Sequence, residues 1–355
     1  MLESAIPQHL RCSRAHQAST PPGFLPPYPA YSVRFPESVS NLTLAIIGAQ
    51  YRTASEAADG GGQAALSPFL GSSASPPSFF EWTSVTDAKG FYNVAALAYW
   101  PSAGGYETWA TQSGFREWWQ DLEPENCQHG WFLEVFFPTT DRFESAFTTT
   151  QTSESFGHMK ECMSEAVQEH GYWGSMRDRF PAAQVDPLVG GAKPVAARES
   201  SHPSETARIK IPGKKNLTVI RSGQDWLDTP PEERQLYLET MHPVLIKGMN
   251  FLRDHGEEVG CYSCRLMDVV DPSTMKADKD RTFGLAYFDD LASLESWSRK
   301  HPTHLAIFGG FHRYAKKLGN NVALRLSHEV MVLRPEQQFF EYVACHSGTG
   351  MLKFQ

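Results

Sequence analysis

Several things are scarce or absent in this chain, and each absence removes a class of protein. Cysteine is scarce, at six in 355 residues, which is too thin for the disulfide framework of a small secreted domain. Basic charge is not in excess. Lys and Arg number 32 against 40 Asp and Glu, a net charge of −8, and that argues against a surface for nucleic acid or anionic lipid. No uninterrupted apolar run approaches the length that spans a bilayer. Met1-Leu2-Glu3-Ser4-Ala5-Ile6-Pro7 has no basic stretch followed by an apolar core, so no secretory signal is read and a cytoplasmic location is expected. The local signatures of common chemistries are missing too. Gly60-Gly61-Gly62 leads to no Gly-Lys-Ser/Thr, no H-E-x-x-H or G-x-S-x-G occurs, and no G-x-G-x-x-G follows a strand pattern, which removes a phosphate loop, a zinc hydrolase, a serine hydrolase and a dinucleotide fold. Cys261-Tyr262-Ser263-Cys264 has C-x-x-C spacing but lies in a strand pattern. Residues three apart on a strand point to opposite faces, so no shared metal is expected there.

What is present is a globular core, with 41% apolar and 12% aromatic residues, in a chain long enough for one large or two ordinary domains. Residues 1–40 are proline-rich and read as an irregular segment that wraps the surface or covers a pocket edge. Strands are expected over 42–51, 91–100 and 131–137, with a helix over 106–120. Residues 54–78, rich in glycine and serine, read as a low-complexity connection. Pro230-Pro231-Glu232-Glu233 opens a second helix that Gly256 closes, with Leu236, Leu238, Met241, Leu245, Met249 and Leu252 along it at helical spacing. Strands follow over 261–270 and 282–288, and over 324–333 as the last.

The chain echoes itself. Leu97-Ala98-Tyr99-Trp100 and Leu285-Ala286-Tyr287-Phe288 each precede a tryptophan, Trp109 or Trp297, at the same distance from the leucine. Glu134-Val135 leads to Phe143-Glu144 as Glu329-Val330 leads to Phe340-Glu341, and Asn41-Leu42-Thr43 matches Asn216-Leu217-Thr218. Two copies of a ferredoxin-like α+β unit, with helices on one sheet face, account for this pattern, and two such sheets can face each other as a barrel.

Two histidines break the echo. In Ser298-Arg299-Lys300-His301-Pro302-Thr303-His304, the proline marks a helix start, His301 reads as its cap, and His304 falls in the first turn ahead of an apolar run to Phe308. An imidazole there is usually a satisfied core group. A metal ligand is the other reading, because the positive helix end favours the neutral ring that a metal needs. In register with the first copy, His304 matches Arg116 and His328 matches Leu133, so both histidines belong to the second copy alone. One can hold a metal or haem iron while the other transfers protons. Two further blocks stand out. Glu169 to Phe180 is dense in polar and aromatic residues between glycines, and Arg221-Ser222-Gly223-Gln224-Asp225-Trp226 interrupts an apolar strand. Each is also consistent with an ordinary solvated turn.

These blocks together resemble the aldoxime dehydratases of the phenylacetaldoxime dehydratase type. The resemblance runs from Glu3-Ser4-Ala5-Ile6 to Gly348-Thr349-Gly350-Met351-Leu352. It is most specific in Glu169 to Phe180, Arg221 to Trp226, Ser298 to Phe308, His328-Glu329-Val330, and Cys345-His346 through Met351. It implies a haem b enzyme, active with ferrous iron, that converts R–CH=N–OH to a nitrile and water. It also implies an α+β fold in which two ferredoxin-like repeats form a dimeric α+β-barrel-type haem domain. The expected division is an irregular segment 1–40, a first repeat 41–165 and a second repeat 166–355 carrying the haem ligand. The resemblance gives His304 as the axial ligand of the haem iron and His328 as the distal acid and base. Arg179 and Ser222 would bond the oxime hydroxyl, with Glu144 as accessory acid. The implied partners are a small aldoxime and a second copy of the chain, with no nucleic acid or membrane. The connection at 54–78 departs from the family pattern, which bears on pocket lining and substrate size. A peroxidase or chlorite-dismutase-like enzyme, and a haem carrier or sensor without turnover, are the alternatives on the same barrel.

Overall fold

In the computed structural model, which describes residues 2–72, 75–151, 154–191 and 204–354, the chain is built around one sheet of eleven strands. In chain order the first part holds β1 (Val33–Arg34), β2 (Thr43–Tyr51), α1 (Gly61–Leu70), β3 (Phe79–Thr86), β4 (Tyr92–Trp100), α2 (Ala103–Gln112), α3 (Phe115–Gln120), β5 (Gly130–Phe136), β6 (Phe143–Phe147), β7 (Cys162–Met163) and α4 (Ser175–Asp178). The second part holds β8 (Arg208–Ile211), β9 (Leu217–Asp225), α5 (Pro231–Thr240), α6 (His242–His255), β10 (Cys261–Val269), β11 (Arg281–Phe288), α7 (Leu291–Lys300), α8 (Pro302–Lys317), β12 (Arg325–Leu333) and β13 (Gln338–Val343).

The strand order is β6-β12-β9-β11-β10-β3-β4-β2-β5-β13-β8. It contains the same four-strand pattern twice, β3-β4-β2-β5 and β10-β11-β9-β12. The two halves join where Asp268 and Val269 of β10 pair with Ser84 and Thr83 of β3. Each half also lends its last strand to the other. β6 pairs with β12, and β13 pairs with β5.

Packing follows the pleat. One face of both halves feeds a single core containing Ile46, Leu97 and Phe136 from the first and Val219, Phe283 and Met331 from the second, so the sheet curls around a shared interior. The other face of each half carries helices. Trp109, Phe115 and Trp119 cover Ala45, Ala96 and Leu133 in the first half. Leu245, Met249 and Trp297 cover Ala286, Val330 and Val332 in the second. Local signals in the two halves correspond. Ser102 caps α2 through Gly105 N at 3.0 Å, and Asp290 caps α7 through Ser293 N at 2.8 Å, each satisfying a backbone donor that the helix leaves free.

Several expectations need correction. The connection over 54–78 is not structureless, because it holds α1, although residues 73 and 74 lie outside the described residues. Tertiary contacts make that helix: Leu66 and Leu70 are buried and Tyr51 Oη accepts from Gly62 N at 2.7 Å. The helix expected over 106–120 is broken at Gly114, whose φ of +81° suits glycine. The helix expected over 230–256 restarts at His242, because Pro243 at its first turn lacks the N–H a continuous helix would need. The strand over 91–100 has an earlier neighbour, β3, and β12 is followed by β13. Cys261 and Cys264 do not point to opposite faces. The register shifts between Cys261 and Ser263, which places both thiols in one apolar cluster, and burial pushes the Cys264 thiol up to about 12. No helix among the described residues is long and apolar enough to cross a membrane.

Candidate active site

On the helix-covered face of the second half, Gly284 of β11 pairs with Ser222 of β9, and Ser222 pairs with His328 of β12. Directly paired residues of antiparallel strands share a face, so these three form a row. The edge strand β6 brings Glu144 to the same face, opposite Val330. Arg179 arrives from α4, at that helix's C-cap.

Three of the predicted residues meet in a closed triangle. Arg179 Nε donates to Glu144 Oε2 at 2.6 Å, and Arg179 Nη2 lies 2.8 Å from His328 Nε2. His328 Nε2 is also 3.1 Å from Glu144 Oε1. The remaining guanidinium nitrogen, Nη1, donates to the Glu169 carbonyl at 2.8 Å. Arg179 and Glu144 are buried, while the His328 side chain keeps 29% exposure. Burial would raise the Glu144 carboxyl, but the Arg179 charge, then His328, hold it below the usual range. Because a guanidinium can only donate, a neutral His328 receives Arg179 at a bare Nε2. A cationic ring turns Nε2–H toward Glu144. The same nitrogen thus finds a partner in either protonation state.

Ser222 is half-buried beside His328, and Gly284 across from it is closely packed. A Cβ on Gly284 would fall 2.8 Å from Met249 Sδ and 3.3 Å from Ser222 Oγ.

His304 stands apart from the triangle, in the first turn of α8. The reading of His301 as the cap agrees with its extended backbone and its acceptance of Thr303 N. The His301 ring stacks on Phe251 at 4.0 Å, and Trp297 meets the His304 ring edge-on at 4.8 Å. Burial lowers His304 to about 4, opposed by the Ser298 backbone, so the ring is neutral. Its buried Nδ1 has no hydrogen-bond partner of good geometry. A chain of rings links α8 to the triangle. Phe308 contacts Trp173 at 5.4 Å, and Phe311 contacts Tyr28, which abuts His170.

His170 carries no sequence signal of its own beyond its place in the polar and aromatic block from Glu169 to Phe180. Burial, then the Arg179 and His328 charges, lower it to about 3, which makes it a permanently neutral neighbour of the triangle. A cavity of about 1090 Å³ lies elsewhere, between α6, β10 and residues 346–353, and none of the five predicted site residues touches it. A small cavity of about 30 Å³ does reach Glu144 and Arg179, from the side of residues 5–39. We place the site by the polar triangle rather than by cavity size, since catalysis depends on oriented groups.

A family model for haem-containing dehydratases matches residues 45–351. The chain is 36% identical over 356 residues to the aliphatic aldoxime dehydratase of Pseudomonas chlororaphis, covering 99% of this chain and 98% of that one. It is 30% identical over 326 residues to the phenylacetaldoxime dehydratase of Bacillus sp. (strain OxB-1), covering 92% and 91%. Among solved structures it is similar to an aldoxime dehydratase in complex with butyraldoxime, with a TM-score of 0.91, 32% identity, and 99% and 96% of the two chains covered. The duplicated sheet, the row of Ser222 and His328 and the lone histidine of α8 therefore sit in a chain that belongs to the haem-containing dehydratase family.

Proposed function

We propose that this chain is an aldoxime dehydratase, R–CH=N–OH → R–C≡N + H₂O, with Glu144, Arg179, Ser222 and His328 as its reacting set and His304 as the haem ligand. The observation that carries the residue assignment is the closed triangle of Glu144, Arg179 and His328. A carrier has no use for an imidazole served by both a guanidinium and a carboxylate.

The residues fit haem. His304 is a neutral imidazole whose buried Nδ1 lacks a hydrogen-bond partner of good geometry, and a ligating imidazole must be neutral. Gly284, directly across from Ser222, lets the Met249 thioether approach the strand more closely than any side chain there would allow. Haem held by His304 would supply a ferrous iron, an electron-rich centre for an oxime nitrogen.

The chain's own groups account for the proton movements. Hydroxide is a poor leaving group, so the N–O bond needs a proton at the oxygen as it breaks. His328 delivers it, a positioned general-acid contribution worth roughly 10²–10⁴-fold. Arg179, which cannot lose its proton, donates to the same oxygen and to Nε2 of the neutral ring. Ser222 fixes the direction of the hydroxyl. The neutral imidazole then takes the carbon-bound hydrogen, so the catalyst is restored and no external oxidant or reductant is consumed. Glu144 steadies the imidazolium that precedes N–O cleavage and is re-formed when the hydrogen is taken.

We read the two four-strand patterns as ferredoxin-like repeats divided as 41–165 and 166–355, with 1–40 an irregular addition. The order β3-β4-β2-β5 and its copy support that reading. A homodimer and a cytoplasmic location complete the proposal, and six unpaired cysteines agree with a reducing compartment.

The test is anaerobic. Purified protein, reduced in the presence of haem, is mixed with phenylacetaldoxime and with a short aliphatic aldoxime. Nitrile in the chromatogram, together with a change in the visible spectrum on adding the oxime, is the expected result. Protein that stays colourless after reconstitution, or binds haem and yields no nitrile, removes the assignment.

A further inference from the structure

Arg179 is held in place by a segment that cannot hold itself. Helix α4 has four residues, far below the ~12–15 at which an isolated helix becomes marginally stable. Its N-cap is Gly174, with φ of +104° and no side-chain cap. Something else must fix the guanidinium that touches both Glu144 and His328.

That something is the N-terminal segment. Asp178, the residue before Arg179, is buried, and its carboxylate accepts four hydrogen bonds from three groups. Ser19 N reaches its two oxygens at 3.1 and 2.9 Å, Thr20 Oγ1 lies at 3.2 Å and Tyr172 Oη at 2.9 Å. Arg14 Nη2 donates to the Asp178 carbonyl at 3.2 Å. At the other end of the segment Glu169, whose carbonyl receives Arg179 Nη1, is tied by its side chain to Ser4 Oγ at 2.9 Å and Ala5 N at 2.8 Å. Between these knots the two segments touch closely. Phe24 meets Tyr172 edge-on at 4.8 Å. A Cβ on Gly171 or Gly174 would collide with Pro27 at 2.7 Å or Ser19 at 2.5 Å.

We propose that Asp178 is a positioning residue for Arg179, and that residues 4–28 form a clamp that sets the geometry of the Glu144–Arg179–His328 triangle. The inference rests on the proposed function, since it gives the clamp a reaction to serve. The clamp contributes no group to the substrate. It acts by keeping the guanidinium within the few tenths of an ångström over which a positioned donor is effective. The irregular, proline-rich character of residues 1–40 suits this role, because proline holds an extended path at little entropic cost.

The experiment compares holoenzymes reconstituted with haem. In Asp178→Ala we expect kcat to fall by about tenfold or more with KM nearly unchanged, as lost orientation predicts. Haem content and visible spectrum should match wild type. Asp178→Asn, which keeps an acceptor oxygen, should recover much of the loss. Tyr172→Phe and Thr20→Val should each lower kcat modestly, and neither should add to Asp178→Ala, because all three loosen one knot. Wild-type kcat in Asp178→Ala overturns the inference. So does a loss of kcat that tracks loss of haem and thermal stability across the series, which is the mark of a purely structural residue. Should Asp178→Ala fail to fold, the Tyr172→Phe/Thr20→Val double variant decides in its place by the same readouts. No nitrile from wild type removes the proposed function and this inference with it. Nitrile from wild type beside an unaffected Asp178→Ala removes only the inference.

Discussion

The two halves of the sheet share a plan and differ in what three aligned positions carry. In the first half the register Ala96–Ile47–Leu133 runs across β4, β2 and β5. In the second, Gly284–Ser222–His328 runs across β11, β9 and β12. The first row is apolar and sealed beneath tryptophans. The second offers a glycine, a hydroxyl and an imidazole. The helices above differ to match, since Arg116, paired with Glu107 at the surface, stands where the second half has His304. A second contrast lies on the inner face. Glu134 is fully served by Arg265 at 2.8 and 2.6 Å, by Tyr342 Oη at 2.8 Å and by Tyr287. Its counterpart Glu329 is equally buried, yet neither oxygen has a hydrogen-bond partner of good geometry. The two four-strand patterns are thus two scaffolds. One carries the well-packed, fully paired arrangement, and the other carries polar groups under a helix in part of it.

The comparison predicts what happens when the second half is made to resemble the first. The largest effect is expected from His304→Arg, which installs the first half's residue. The variant should fold but remain colourless on reconstitution and form no nitrile, as absorption spectra and product chromatography would show. Haem binding at wild-type strength would move the ligand elsewhere. Next is His328→Leu. Haem should still load, while kcat falls by roughly 10²–10⁴-fold, the range for a lost general acid and base. A variant with near-normal turnover would break the assignment of the triangle.

Much of this contrast is legible in the sequence. Leu97-Ala98-Tyr99-Trp100 and Leu285-Ala286-Tyr287-Phe288 do occupy equivalent strands, β4 and β11, and the uneven histidines do fall in the second half. Strand pattern and helix capping are local, so sequence carries them. What it hid was set by tertiary contacts or misread locally. Helix α1 looks like a linker because Gly61, Gly62 and Pro68 weaken its intrinsic tendency. Its stability comes from Leu66 and Leu70 beneath the sheet. The break before Pro243 was visible in the sequence, but the apolar spacing on both sides masked it. The bulge after Cys261 reverses a face assignment and leaves no compositional mark. The triangle itself joins residues 144, 179 and 328, and no spacing rule reports a separation of that kind. The knot at Asp178 is hidden for the same reason.

The two glutamates give effects on stability rather than turnover. Glu134→Gln leaves the buried Arg265 without its ionic partner, which should cost about 3–5 kcal/mol and appear as a marked drop in denaturation midpoint. Glu329 should behave oppositely. Burial raises it to about 8, against a value of 4.5 when free. The charged groups facing it give a mixed field, with Arg221 opposing the rise and Glu154 adding to it. Between pH 4.5 and about 8 the native chain therefore keeps a proton that the unfolded chain releases. Stability falls as pH rises through that window, by about 1.4 kcal/mol per unit. Glu329→Gln cannot ionise, so its stability relative to wild type should improve steadily from acid to mildly alkaline pH. A difference that stays flat with pH would show that Glu329 is ionised, and the contrast with Glu134 would be lost.

The smallest effect expected is at Ser222, and it asks whether the row acts as a unit. Ile47 in the first half shows that the position tolerates an apolar side chain without harm to the sheet, so Ser222→Ala should fold normally and take up haem. Removing one neutral hydrogen bond is worth about 1 kcal/mol, which corresponds to about a fivefold change in rate. If the hydroxyl bonds the oxime equally before and during N–O cleavage, the loss falls on KM. If it serves mainly to direct the hydroxyl toward His328 and Arg179, the loss falls on kcat. The neighbouring glycine favours the second outcome. With only a hydrogen at Gly284, Ser222 Oγ is free of a contact at 3.3 Å that an alanine would impose, and can turn toward a bound group. Gly284→Ala should therefore reproduce the kcat effect of Ser222→Ala with the hydroxyl still present. It should also displace Met249, whose sulfur would stand 2.8 Å from the new methyl. Equal losses in the two variants, and no further loss in the double variant, would show that the glycine is there to free the serine. Additive losses would show instead that the glycine serves the cofactor or the substrate directly.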